Sequence, residues 1–329
     1  MITGGTASSP KKSEDGGLNF RYSGEGYGTV NVSRNATSFS WLPNNPNRVA
    51  VFGVDVGPYL SDDTFNTFKS LKVPYYPPWN EISTTVGAMA SDGSGVIITA
   101  VGDWTNQEII RSDDNGMTWT KAKATDSVGN ATTTVDNYDF IAFNPQNPNI
   151  VYSDWFKSPD KGVNWKKLNK EVVAMSKDGA TIYAADDMGY FQNIYKSSDG
   201  GTTWVFHSKL DVSTLEELAV DPTGQDRLYA AGSTASVNVW NGSNWSQKTE
   251  ADGFAEDYFN NYTTKSITVD PNKAEVIYAG RWNRTKGQSN GIFRSTNYGN
   301  TWENISYNLG GAGDSLDVNS VHVSPHDGY

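Results

Sequence analysis

The chain reads as a succession of short apolar or alternating runs broken by polar turns. Alternation with a period of two predicts β-strands, and helical spacing of apolar residues is almost absent. In the clearest stretch an apolar run at 140–143 is followed by a turn at 145–149. A second run at 150–152 comes next, then Phe156, a polar turn, and a last run at 165–168. The same plan recurs along the sequence: first strand, polar turn, second strand, variable loop, third strand, second polar turn, short fourth strand. The other first-to-second turns lie at 43–47, 91–95, 177–179, 221–226 and 270–275. Many short strands with regular turn signals predict an all-β propeller of four-stranded antiparallel blades.

A repeated phrase marks the second polar turn. Ser-x-Asp-x-Gly-x-x-Trp stands at 112–119, 158–165 and 197–204. It recurs at 13–20 with Phe20 in place of Trp, and at 295–302 with Asn297 in place of Asp. A worn copy lies at 61–68 and a degenerate one around 240–245. These make seven units spaced by roughly 40 to 57 residues, the period of propeller blades. In such a phrase Ser and Asp bond the turn's own amides, Gly takes a backbone conformation other residues resist, and the aromatic fills the space between sheets. Its aspartates are therefore read as turn residues, not ligands.

The last unit has a first strand at 318–323 and then stops, while 1–5 look like its missing second strand. The expected fold is a seven-bladed propeller occupying 1–329 as a single domain, with the seventh blade shared between the termini so that no sheet edge stays open. The rival expectation is a fragment of a longer protein.

The long connections at 72–85, 124–137, 249–264, 281–290 and 306–317 fall on the face opposite the polar turns, where function is expected. Trp104, Trp155 and Trp282 follow second strands, and Trp79 lies in a long loop. Asp103 and Asp154 immediately precede two of these tryptophans. Asp55 ends the first unit's second strand beside Tyr59, and Asp187 has the same offset in the fourth unit, beside Tyr190 and Phe191. Flat aromatic faces flanked by carboxylates suit sugar rings, whose faces are apolar and whose edges are polar. A lone tryptophan at a strand end also serves as a core cap, and a lone Asp there as a turn bond. Repetition at equivalent positions is what points to a sugar platform.

Charge and composition narrow the ligand. A net charge of −11 over 329 residues argues against nucleic acid and anionic membranes and suits a neutral substrate. No apolar run approaches the roughly 20 residues of a membrane span. The absence of cysteine excludes disulfides, thiolate nucleophiles and cysteine metal sites. The three histidines show no ligand spacing, so neither metal nor cofactor is expected, and His207 and His326 read as solvated turn residues. Sequons at Asn31, Asn35, Asn130, Asn241, Asn244, Asn261, Asn283 and Asn304 lean towards an extracellular, secreted or surface-associated protein. No signal peptide is visible at Met1, which fits a processed form or a cytoplasmic chain.

The repeated phrase is similar to the Asp-box, or BNR repeat, and this resemblance runs through the whole chain. Within that group, residues 53–63 (Gly-Val-Asp-Val-Gly-Pro-Tyr-Leu-Ser-Asp-Asp) resemble the Asp-x-Gly-Gly segment of xyloglucanases. Residues 278–284 (Tyr-Ala-Gly-Arg-Trp-Asn-Arg) and 291–295 (Gly-Ile-Phe-Arg-Ser) look like theirs as well. The resemblance implies an inverting glycoside hydrolase acting on a neutral β-glucan such as xyloglucan. In that family two propellers each supply one catalytic aspartate across a cleft. Asp55 matches one such position, with Pro58 replacing the second Gly; Asp187, in Asp-Met-Gly, is a looser match.

Inverting carboxylates stand about 6.5–9.5 Å apart. Strand spacing near 4.8 Å puts Asp55 about 20 Å from Asp187 and about 9 Å from Asp103. Either Asp103 is the partner, a second propeller or protein supplies it, or the chain binds a polysaccharide or oligosaccharide without cleaving it. Sialidases share the phrase but clamp a carboxylate with three arginines. Here only Arg281 and Arg284 are in position to face a cleft, and the Arg-Ile-Pro signature is missing. The alternative to a carbohydrate-active protein is a non-catalytic interaction propeller: a surface, appendage or virion subunit, or an assembly factor.

Overall fold

A computed structural model describes residues 2–5, 8–22, 36–42, 45–53, 57–71, 88–102, 107–134, 139–232, 237–254, 262–283, 291–306, 309 and 318–326. The fold is an all-β propeller of small antiparallel blades. The chain divides into two compact units, one formed by 7–9 and 23–173, the other by 1–6, 10–22 and 174–329. Among the described residues six sheets have four strands and one has six.

Sheet I joins Ala36–Leu42, Asn45–Gly53, Gly57–Ser61 and Lys69–Ser70. Sheet II joins Met89–Ser91, Ile97–Gly102, Gln107–Ser112 and Thr120–Lys121. Sheet III runs Ile141–Phe143, Val151–Ser153, Phe156–Ser158, Asn164–Lys167, then Lys123–Thr125 and Ala131–Thr132. Sheet IV joins Glu171–Met175, Ile182–Asp187, Gln192–Ser197 and Val205–Leu210. Sheet V joins Leu215–Val220, Leu228–Gly232, Val237–Trp240 and Trp245–Gln247. Sheet VI joins Tyr262–Asp270, Lys273–Asn283, Gly291–Ser295 and Glu303–Asn304. Sheet VII draws on both ends of the chain: Ser320–His322 pairs with Ile2–Gly5, followed by Ser8–Lys12 and Arg21–Tyr22.

The phrase turns share one geometry. In each, the Ser hydroxyl donates to the Asp or Asn two residues on, at 2.8–3.0 Å. The same oxygen accepts the amide four residues on, at 2.8–2.9 Å. The Asp or Asn side chain then accepts a further amide, four residues beyond its own position. Bonds from the Thr118 and Thr203 hydroxyls, then from their amides, hold Asp114 and Asp199 down at about 2. These carboxylates are turn hardware, as the pattern predicted.

Two consecutive residues in each turn, not one, are left-handed: 16/17, 64/65, 115/116, 161/162, 200/201 and 298/299, with φ between 56° and 90°. The worn copy shows what fixes the choice of residue. Phe65 stands where the other copies have Gly, at φ 68°, and is fully buried with its ring 5.8 Å from Phe39 and from Phe68. A left-handed non-glycine costs about 1–2 kcal/mol, and burying a phenylalanine returns about 1.5–3 kcal/mol.

The closing aromatic plugs the gap between successive sheets. The Trp165 indole donates to the Gly162 carbonyl (2.9 Å) and packs with Ile98 and Ala100 of sheet II and Phe156 of its own sheet. Trp302 repeats this against Gly299 (3.1 Å), beside Tyr229 and Val239 of sheet V. The degenerate copy is reduced to a hairpin turn in which Asn241 donates its amide to Asn244 (3.3 Å), and the Trp245 indole reaches Ser208 of sheet IV (3.1 Å).

The two kinds of polar turn meet at the same end of a sheet. The amides of Thr64, Asn115, Lys161 and Tyr298 donate to the carbonyls of Asn47, Gly95, Asn149 and Glu275, at 2.7–3.0 Å. The second strands therefore end, and the third begin, at the opposite end of each sheet.

One expectation needs correcting. Residues 124–137 read as an irregular loop, but they contain most of a hairpin. Lys123–Thr125 adds in parallel to the outer strand of sheet III (Lys123 opposite Asn164, Thr125 opposite Lys166) and turns back through Ala131–Thr132. Strands this short carry no readable alternation.

Candidate functional site

The second strand of sheet III ends at Ser153, where the chain presents Asp154 and Trp155. The Asp154 carboxylate turns back onto its own sheet and accepts the amides of Asp139 and Phe140, both at 3.2 Å. Burial, and next the nearby Asp139 charge, push this carboxyl well above the usual range. Asp154 was expected to bind ligand; its carboxyl instead caps the start of the first strand. The following segment wraps the pair, with Leu168 donating to the Trp155 carbonyl (2.7 Å) and Val172 to the Asp154 carbonyl (2.6 Å). Trp155 is half-buried, and the Lys167 ammonium is 5.7 Å from its ring centroid. Trp155 also packs against the core cluster that includes Ile141, Val151 and Phe156.

In sheet IV, Asp187 is exposed at the end of the second strand. Its Oδ1 accepts the Gly189 amide (2.7 Å) and the Gln192 side-chain amide (3.1 Å). It shapes a tight hairpin closed by a bond from the Met188 amide to the Phe191 carbonyl (3.0 Å). The hairpin tip holds Met188 and Tyr190 in solvent, the latter 89% exposed. Phe191 lies beneath the Lys209 ammonium at 4.2 Å.

Trp282 is half-buried near the end of the second strand of sheet VI, opposite Thr263. Its neighbour Arg281 is fully buried, its guanidinium 5.4 Å from the Phe293 ring centroid, so the expected cleft-facing arginine belongs to the core. Tyr59 is also a core residue, 6% exposed. The described candidates thus form two groups: Tyr59, Asp154 and Trp155 in one unit, Asp187, Tyr190 and Trp282 in the other. Asp55, Asp103, Trp79, Trp104 and Arg284 lie outside the described residues.

His207 departs from its reading as a solvated turn residue. It lies on the outer strand of sheet IV with its side chain 8% exposed. Its Nε2 is 3.0 Å from Asp226 Oδ1 and its Nδ1 is 2.9 Å from the Ser208 hydroxyl. A bulge in this strand puts His207 and Ser208 on one side, towards Trp240 and Trp245 of sheet V.

Sequence reasoning passed over Glu217, in the first strand of sheet V. Its carboxylate accepts the Ile267 amide of sheet VI at 2.8 Å, and burial pushes it up to about 7. Glu216 beside it pairs with Lys265 at 2.7 Å. Two successive glutamates in an otherwise apolar first strand were the available signal.

No family model matches the sequence, and no curated protein matches it. Solved structures do. The GH74 enzyme of Niastella koreensis aligns with a TM-score of 0.59 at 17% identity, over 92% of this chain and 54% of that one. The GH74 xyloglucanase from Xanthomonas campestris gives 0.61 at 14% identity, over 91% and 51%. YCF48 from Cyanidioschyzon merolae gives 0.58 at 12% identity, over 84% and 86%. The chain spans about half the length of the GH74 enzymes it matches. At these identities the likeness establishes the fold, a propeller of the kind found in GH74 xyloglucanases and in YCF48.

Proposed function

We propose that the chain is a seven-bladed, carbohydrate-binding propeller, its last blade shared between the termini, that takes a neutral β-glucan such as xyloglucan on its loop face. The observation that carries this reading is the half-buried Trp155, wrapped by 168–172 at the end of a second strand, with Trp282 near the equivalent position of another sheet. A fixed indole with one part open to solvent offers the flat apolar surface a pyranose ring stacks on. If the protein cleaves the glycan, Asp55 is the general acid or base and Asp103, one blade on, its partner, because Asp187 is engaged by its own hairpin.

Reducing-end release from a polysaccharide panel, wild type beside Asp55→Asn, tests cleavage. Release from one β-glucan that is lost in the variant establishes the hydrolase. Binding is tested apart from cleavage: Trp155→Ala is expected to weaken xyloglucan binding at least about ten-fold, ~1.4 kcal/mol. Unchanged affinity in both Trp155→Ala and Trp104→Ala sinks the platform.

A second reading, a non-catalytic propeller that docks on a protein, is favoured by the alignment with YCF48 over most of both chains and by the exposed Met188 and Tyr190. YCF48 has been solved bound to a D1 peptide. Failure to bind any glycan would leave this reading in place.

A further inference from the structure

Asparagine followed by glycine is a reactive pair, because a residue without a Cβ lets its backbone nitrogen approach the asparagine side chain closely. The chain has three such pairs, at 115–116, 241–242 and 290–291. Asn290 lies outside the described residues. The other two pairs sit in turns that treat the same atoms differently. In the full copy of the phrase Gly116 is buried, and its amide donates to the Ser112 hydroxyl at 2.8 Å. The Asn115 amide is fixed as well, on the Gly95 carbonyl at 3.0 Å. The Gly116 nitrogen is thus held away from any attack on the Asn115 side chain.

The degenerate copy in sheet V leaves these atoms open. Asn241 and Gly242 are exposed. Among the described residues, neither the Gly242 amide nor the Asn241 Nδ2 makes a hydrogen bond. The Asn241 Oδ1, by contrast, accepts the amides of Ser243 and Asn244, each at 3.0 Å. These bonds curl the side chain over the peptide to Gly242 and draw electron density from Cγ. Two amides aimed at a carbonyl oxygen are the donors that stabilise the oxyanion when that carbonyl is attacked. A free nucleophile, a polarised carbon and an unengaged leaving group therefore meet at 241–242, whereas at 115–116 the nucleophile is locked.

We propose that Asn241 is a self-modifying site, converted to aspartate and isoaspartate by the folded protein. The deprotonated Gly242 nitrogen attacks Cγ and forms a C–N bond, and Oδ1 takes the negative charge against its two amides. The Cγ–Nδ2 bond then breaks, and ammonia leaves with a proton from water. Water opens the resulting cyclic imide at either carbonyl, so the net change is asparagine plus water to an acid plus ammonia. One opening gives aspartate, whose carboxylate keeps both amides, as Asp63 holds those of Asn66 and Thr67 in the worn copy. The other gives isoaspartate, which adds a methylene to the backbone between the paired Trp240 and Trp245 and draws the Trp245 indole off Ser208. The site is separate from the glycan platform and does not depend on it.

The test follows the full chain, folded and unfolded in guanidinium chloride, at mildly alkaline pH. Peptide mass spectrometry reads the exchange of side-chain nitrogen for oxygen, and isoaspartyl methyltransferase labels the isoaspartate. The folded chain is expected to lose Asn241 about ten-fold faster than the unfolded chain, less than the roughly 10²-fold of a water-excluded oxyanion site because this one is exposed. Asn115 should show the reverse order, slower folded than unfolded. Raising the pH by about one unit should speed the loss of Asn241 about ten-fold, because the attacking nitrogen must first give up its proton. Gly242→Ala should slow it at least about ten-fold, since the methyl group obstructs the approach. Its Cβ would meet only the Asp226 carbonyl, at 3.7 Å, so the turn survives apart from the left-handed backbone at φ 94°. Loss of Asn241 no faster in the folded than in the unfolded chain overturns the proposal, and so does equal loss of Asn241 and Asn115 in the folded chain.

Discussion

Gly162→Ala is expected to destabilise the protein by about 3 kcal/mol, while Gly16→Ala costs about 1 kcal/mol. Both glycines are left-handed, at φ 82° and 70°, so both substitutions carry the backbone penalty of about 1–2 kcal/mol. They differ in what the new methyl group meets. At Gly16 the nearest atom is the Tyr278 hydroxyl at 3.6 Å, an ordinary contact. At Gly162 a Cβ would lie 2.4 Å from Ile98 Cδ1 and 3.1 Å from Cγ1, inside the core that joins sheets II and III. Ile98 is fully buried, so relief requires the two sheets to separate or Ile98 to leave its rotamer, typically another 1–3 kcal/mol, ~2 here. Urea unfolding followed by tryptophan fluorescence gives both values. Equal losses in the two variants would mean that the phrase glycine is selected only for its backbone and not for close approach between sheets.

That distinction marks how far the sequence could be read. The phrase announced its own chemistry, because every partner of Ser158 and Asp160 lies within a few residues. It also identified the gap-filling Trp165 and Trp302, while the terminal runs, not the phrase, located the two strands that pair as Ile2–Gly5 and Ser320–His322. It gave no warning that Lys161, before the glycine, is left-handed as well, since no residue type is obligatory there. The features that were missed depend on distant strands or on one-residue shifts in register. The hairpin of 123–132 pairs with a strand whose sequence lies beyond it, so nothing local forecast that pairing. A bulge turned inward His207, which reads in the sequence as a solvated turn residue, and another beside Glu217 aimed its carboxylate at sheet VI. For the candidate site, position at a strand end was legible but direction was not. Asp154 and Trp155 are adjacent, yet the carboxyl folds back onto its strand while Trp155 stays half-buried between the core and Lys167.

Wild-type stability is expected to vary little between about pH 4 and pH 8, because two buried groups in one unit oppose each other. Glu217 rises from its ordinary 4.5 to about 7 on burial, so the folded chain favours its protonated form. Its contribution is complete below pH 4.5. As pH rises towards 7 the unfolded chain ionises first, and stability falls by at most about 3 kcal/mol, at ~1.4 kcal/mol for each tenfold change in proton affinity. His322, on the strand that closes sheet VII, is pulled by burial from 6.5 down to about 4, so the fold favours its neutral form. Its contribution is complete above pH 6.5. As pH falls towards 4 the unfolded chain takes up the proton first, and a similar amount is lost. The two losses have opposite slopes across the same window and nearly cancel. Both are upper bounds, because each residue keeps part of its surface in water. The groups are physically linked: Glu217 accepts the Ile267 amide, and the adjacent Ser266 hydroxyl accepts the amide of Val321, next to His322. Glu217→Gln should therefore uncover the histidine limb, with stability rising by about 2–3 kcal/mol from pH 4 to 6.5. His322→Gln should uncover the glutamate limb, with stability falling by a similar amount from pH 4.5 to 7. The slope is the readout, so any fixed cost of either substitution does not matter. Urea midpoints measured across this range for the three proteins decide it, and two variants that track wild type at every pH would remove both groups from the account.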